Sequence, residues 1–269
     1  MTDKRRIADN ESLAEIHGLV QGASAIENLW PAVPLFQKMF PGLSDFSERL
    51  AELKEQSKII LLPDRFNERF ASSGWIAYES MSLEVMKKAI ETFDVHGLEP
   101  AESYLVGTYD ADCLKWGILR FNGHDEFRKR MRLVELAKDD YLAARYHACT
   151  PLLLSLMDGL VNDVSRHVGL FADNADLTAW DCIAAHESGL QALVTLMTKG
   201  RGKTNEESIS VPYRHGILHG RELAFDNRIV AAKAWAALFA IRDWAEVLAE
   251  GKKMPAPKQE STWSELLQS

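Results

Sequence analysis

The chain has 269 residues, of which 46% are apolar and 26% charged, the balance of a folded globular protein rather than a disordered one. Its 31 Lys and Arg against 39 Asp and Glu leave a formal charge of −8, which disfavours the many basic contacts of non-specific nucleic-acid binding. A local basic patch at one small site remains compatible with that balance. Cys113, Cys149 and Cys182 form no closely spaced ligand pair, so neither a zinc ribbon nor a disulfide scaffold is expected. They read as reduced, mostly buried thiols.

The chain opens on polar sequence including Lys4, Arg5 and Arg6, without the apolar core of a secretory signal. The most apolar stretch, 229–249, is interrupted by Lys233, Arg242, Asp243 and Glu246, which argues against a membrane span. The expectation is a soluble, cytoplasmic protein with no membrane partner.

In chain order, Asp45 and Glu48 read as a capping pair that opens a helix through Leu50 and Leu53. The short apolar run 59–63 suits either a strand or a buried connection. A helix is expected from about Arg65 through Trp75, Tyr78, Val85, Met86 and Ile90 to His96. Shorter helices follow over 99–105 and 110–119, then longer ones over 125–145 and 146–168, the latter with Pro151 in its first turns. Further helical material lies at 177–180 and 183–197, and 198–207 reads as a polar, Gly-rich loop. Asp226 and Asn227 are good caps for a last long helix reaching Gly251. On it, Trp235, Leu238, Ile241 and Trp244 mark a close-packed face, a core face first and a dimer seam second.

No set of alternating strands appears, so the expected fold class is all-α, a helical bundle. A soft boundary near 121–124 separates an N-terminal helical region (1–123) of unassigned role from a second domain (124–251). A linker containing Pro255 and Pro257, followed by a short helix, closes the chain (252–269).

The most specific segment is Val211-Pro212-Tyr213-Arg214-His215-Gly216-Ile217-Leu218-His219-Gly220-Arg221. Arg offers a fixed fork of donors to phosphate oxygens, and His donates or accepts protons near neutral pH. Pro212 suits the start of a short helical turn and Gly220 its end. His215 and His219 share one helical face, whereas Arg214 and His219 lie about 140° apart at roughly 100° per residue. Those two meet at one phosphate only if the helix ends there or a second subunit completes the site. The bland alternative stays open, in which Arg214 caps carbonyls and His219 is a satisfied core donor.

Arg214-His215-Gly216-Ile217-Leu218-His219-Gly220 resembles the signature of the HEPN superfamily, an Arg with a polar neighbour and a His after four to six intervening residues, before the last core helix. The resemblance spans roughly 125–250 and fits the R-x-x-I-x-H-G variants. It implies a compact α-helical bundle, commonly a homodimer, that often acts as a metal-independent endoribonuclease in toxin–antitoxin or antiviral systems. RNA would be cut by attack of its 2′-OH, leaving a 2′,3′-cyclic phosphate. Other members are catalytically silent and bind RNA, nucleotide or a protein partner.

The resemblance implies that His219 is the general base or acid and that Arg214 stabilises the transition state. His215 would be a second proton-transfer or phosphate-contacting group, and Asp158 would orient an imidazole or the Arg with Asn162 assisting. Asp158 and Asn162 otherwise belong to a polar helix stripe with Ser155 and Arg166. Arg221 and the loop charges Lys199, Arg201 and Lys203 are candidate phosphate contacts, with an ordinary solvated loop as the alternative. His215 and His219 also permit a metal pair, but a third ligand is not obvious. His186-Glu187 completes no HExxH motif, because Leu190 stands where the second His would fall. No metal and no cofactor are expected; RNA, a second copy of the chain and an antitoxin or regulatory protein are the candidate partners.

Overall fold

In a computed structural model of the chain, the residues described are 59, 61–123, 125–164, 169–171, 177, 182–184, 187–200 and 202–251. The helix expected from Asp45, His186, the Arg201 charge, and the linker with its terminal helix lie outside them. Among the described residues the architecture is all-α, with one isolated bridge (Asn205 to Glu222) and no strand.

Helix α1 (Leu62–Phe70) carries Pro63 in its first turn, where the absent backbone donor costs nothing. It buries Phe66 and Phe70 against the core. The long helix expected from Arg65 to His96 is broken beyond it. A tight turn Ala71–Ser73 leads to Gly74 at φ +96°, and Trp75, Ile76, Ala77 and Tyr78 run non-helical and buried. The buried backbone is answered by a side chain, since Ala77 N–H donates to Asn67 Oδ1 at 2.8 Å.

Helix α2 (Leu83–His96) and α3 (Leu98–Thr108) then pack on each other. Asp110 caps α4 (Ala111–Leu119) by accepting from Cys113 N–H at 2.9 Å. The single helix expected over 125–145 is two, α5 (Asp125–Arg128) and α6 (Met131–Leu142). At the break Arg130 donates to Gly159 O at 2.7 Å and to Asp163 at 2.8 Å, tying the turn to α7 (Tyr146–Val164). The helix expected over 183–197 shortens to α8 (Ala192–Met197), preceded by a wide turn kinked at Gly189. A short helix α9 (Arg214–Leu218) and the long α10 (Arg228–Gly251) complete the order. Asn227 caps α10, its Oδ1 accepting from Val230 N–H at 3.0 Å.

One buried cluster runs from Leu62 to Ala245 and takes in side chains from both sides of 121–124. Its axis is α10, where every residue from Val230 to Ala245 is buried. Trp235, Leu238, Ile241 and Trp244 are therefore core, and the alanines between them let α7 approach closely. Cys149 and Cys182 are buried and none of the three cysteines is in a disulfide; burial raises Cys149 to about 12 and Cys113 to about 11.

Three charges are buried inside α10. Lys233 pairs with Glu102 at 2.6 Å and lies over the Trp75 ring, and burial lowers its pKa against the opposing pull of Glu102. Arg242 and Asp243 are 0% and 1% exposed. Arg242 donates to Asp243, to Gly117 O at 2.6 Å and to Ser80 Oγ at 2.5 Å, while Asp243 Oδ2 accepts from Ser80 N–H at 2.7 Å. No helix among the described residues is long and apolar enough to cross a membrane.

Asp243→Ala is expected to lower the urea-unfolding free energy by about 3–5 kcal/mol, the cost of stranding a buried charge. Changing both residues, Arg242→Leu with Asp243→Leu, is expected to cost less than that single change. A double variant weaker than Asp243→Ala would contradict this account of the pair.

Candidate active site

The Arg–His segment is held by backbone on both sides. Val211 and Pro212 are buried, and Tyr213 turns the extended chain into α9, accepting from Ile217 N–H at 2.9 Å. At the far end His219 N–H donates to His215 O at 3.1 Å, and Gly220 takes φ +65°, a left-handed conformation that other residues adopt at a cost. The chain then reverses so that Arg221 N–H and Glu222 N–H both reach Gly216 O, at 2.7 and 3.0 Å. The short helical turn expected from Pro212 to Gly220 is five residues long and ends at Gly220.

A second layer pins this turn. Asn205 N–H donates to Arg221 O at 2.7 Å, and Leu223 N–H donates to Asn205 O at 2.9 Å. Glu222 is buried, with its Oε2 accepting from Asn205 Nδ2 at 2.6 Å. Its stem lies flat on Gly216, where an added Cβ would stand 2.3 Å from Glu222 Cγ. Gly216 is therefore required for close approach, and Ile217 anchors the other face of the turn in the core.

The polar side chains gather on this frame. The His215 and His219 rings, on one helical face as their four-residue spacing predicts, stack with centroids 5.8 Å apart and planes 6° from parallel. The Arg214 guanidinium lies 5.1 Å above the Phe171 ring, a cation–π contact, and its Nη1 is 3.4 Å from His215 Nδ1. Guanidinium only donates, so across this long contact Nδ1 is the acceptor and a neutral His215 carries its proton on Nε2. Burial, then the charges of Arg214 and His219, lower the pKa of His215. His219 is exposed.

The other candidate residues are placed differently. Asp158 is half-buried on α7, its Oδ1 against Gly169, where an added Cβ would stand 2.7 Å away. No hydrogen bond among the described residues joins it to Arg214, His215 or His219. Asn162 faces Asp163, whose carboxyl Arg130 holds below the ordinary value with a smaller contribution from Asn162. Lys199 and Lys203 are exposed on the loop, and Arg221 is exposed directly beside the turn. No group of three or more His, Cys, Asp or Glu among the described residues is placed to hold a metal ion.

Sequence reasoning did not identify Asn205, Glu222 or Phe171. No local pattern marked Glu222 as the residue that lies on Gly216. Phe171 carried no signal at all. Compared with family models, with curated proteins and with solved structures, the chain matches none.

Gly216→Ala is expected to cost about 1–3 kcal/mol of stability through overpacking. Combining it with Glu222→Ala removes the obstructing Cγ, so the pair should cost less than the sum of the singles by about 0.5 kcal/mol or more. Strict additivity in urea melts would show that the two groups do not meet.

Proposed function

We propose that the chain is a HEPN-like, metal-independent endoribonuclease whose reaction centre is Arg214, His215 and His219. The observation that carries this reading is the convergence of one guanidinium and two stacked imidazoles on a single rigid turn. Such a set binds a phosphodiester and moves a proton at it. His219, exposed at the end of the turn, takes the proton of the RNA 2′-OH as O2′ attacks phosphorus. The P–O5′ bond breaks, the leaving 5′-oxygen takes a proton from solvent, and a 2′,3′-cyclic phosphate remains. Arg214 holds the non-bridging oxygens as negative charge builds on them. His215, neutral and carrying its proton on Nε2, adds a donor to the same oxygens.

The reliance on the 2′-OH restricts the reaction to RNA. Arg221 beside the turn and Lys199 and Lys203 on the exposed loop would supply further phosphate contacts, compatible with one small basic site on an acidic protein. A homodimer would bring two such turns together, in a toxin or antiviral setting with an antitoxin or regulatory partner. The alternative is a catalytically silent module of the same type that binds RNA, nucleotide or a protein. One observation favours it: Asp158 is held against Gly169 and orients neither imidazole.

End-labelled RNA incubated with the full chain in excess EDTA is expected to be cut, leaving cyclic phosphate ends. His219→Gln should slow cleavage by about 10²–10⁴-fold, and Arg214→Ala by about 10²–10³-fold. Retained binding without cleavage by the folded wild type would establish the silent module instead. Full activity of His219→Gln would remove that residue from the chemistry.

A further inference from the structure

A second site stands apart from the Arg–His turn. A cavity of about 360 Å³ opens between the start of α2, helices α3 and α4, and the middle of α10. That volume falls in the range of small-molecule sites, roughly 300–1,000 Å³. Nothing in the proposed RNA chemistry uses it.

Its walls are flat and aromatic. Tyr109 and Phe239 lie 6.4 Å apart with planes 18° from parallel, and Trp116 stands at the opening with 65% of its surface exposed. A lone exposed ring is ordinary on a protein surface. An indole at the rim of an aromatic cavity, however, offers a stacking face that a bound ring would cover.

The charged groups on and behind the inner wall are already matched, while the Lys115 ammonium lies outside it, 5.7 Å from the centre of the Trp116 ring. Arg120, on its wall, pairs with Glu246 at 3.0 Å and with Asp243 at 4.0 Å. Arg242, behind the wall, is bonded to the same Asp243. At this inner wall an anion would meet two carboxylates and a cation two guanidinium groups, and either would lose its hydration without gaining a free counter-charge there. Hydroxyl groups remain for hydrogen bonding. Ser80 Oγ accepts from Arg242 at 2.5 Å and keeps its own proton to donate, and Ser82 makes no side-chain cap bond at the start of α2.

From these features we infer that the cavity binds an uncharged, planar, heteroaromatic small molecule of one or two rings, stacked on Trp116 and hydrogen-bonded at the Ser80–Ser82 edge. The inference is independent of the ribonuclease reading, because the cavity and the Arg–His turn share no residue.

The test is calorimetry and ligand-observed NMR on the full chain with four probes at neutral pH: indole, adenine, benzoate and benzamidinium. Indole or adenine is expected to bind in preference to both ions, and which of the two wins separates an apolar from a base-like occupant. Trp116→Ala, a change at an exposed position, is expected to weaken that binding at least about tenfold, the order of loss when one stacking ring is removed. Circular dichroism of the variant checks that the fold persists. Binding of an ion as tightly as the neutral rings, binding unchanged in Trp116→Ala, or no binding by any probe would each overturn the inference.

Discussion

Arg242 and Asp243 lie side by side inside the longest helix, and their charges are answered by chain that is distant in sequence. Burying two ions costs several kcal/mol each unless the surroundings supply partners. Here those partners are Ser80, whose N–H and Oγ both take part, and the Gly117 carbonyl of α4. The Arg242 guanidinium also lies 5.1 Å above Phe239 and 5.5 Å from Phe121. This demand draws the segment before α2 and the helix α4 onto α10. The same helix thereby forms the back wall of the aromatic cavity in its middle and packs against α7, on which the Arg–His turn rests.

A five-residue helix has no stability of its own, because nucleation costs more than one turn of hydrogen bonds returns. The Arg–His turn persists through tertiary partners. Ile217 is inserted into the core, Gly216 lies under Glu222, and Asn205 bridges to the returning chain. With its backbone satisfied from outside, the turn is held, among the described residues, without hydrogen bonds from the side chains of Arg214, His215 or His219 to its backbone. The placement also sets their chemistry. A partly buried imidazole beside a guanidinium favours its neutral form, so the turn combines a fixed cation with a neutral donor and an exposed imidazole.

Much of this architecture was legible in the sequence where local chemistry decides it. Asn227 and Asp110 cap the helices that their side chains predict, and Gly220 closes the motif turn with the positive φ its position suggested. The apolar spacing of α10 named its core residues correctly. Other features depend on partners far along the chain. Trp75 and Tyr78 have helical spacing with Val85 and Met86, yet they lie on a non-helical segment, because Asn67 and Asp243 satisfy its backbone from 10 and 163 residues away. Arg130 reaches across to α7 and divides a helix whose periodicity gave no warning. At the site, the four-residue spacing placed the two histidines on one helical face, where their rings stack. The facing of Asp158 toward Gly169 and the seat of Arg214 on Phe171 depend on how α7 and the following chain settle, which no local pattern encodes.

Arg214, His215 and His219 form one electrostatic unit, in which Arg214 and His219 lower the pKa of His215. Imidazole titration by heteronuclear NMR, with assignments from His215→Gln and His219→Gln, tests this directly. His215 should titrate below the ordinary histidine value of about 6.5, and its pKa should rise in both Arg214→Ala and His219→Gln, since Arg214 and His219 both lower it. A His215 that titrates at the ordinary value and ignores both substitutions would contradict it.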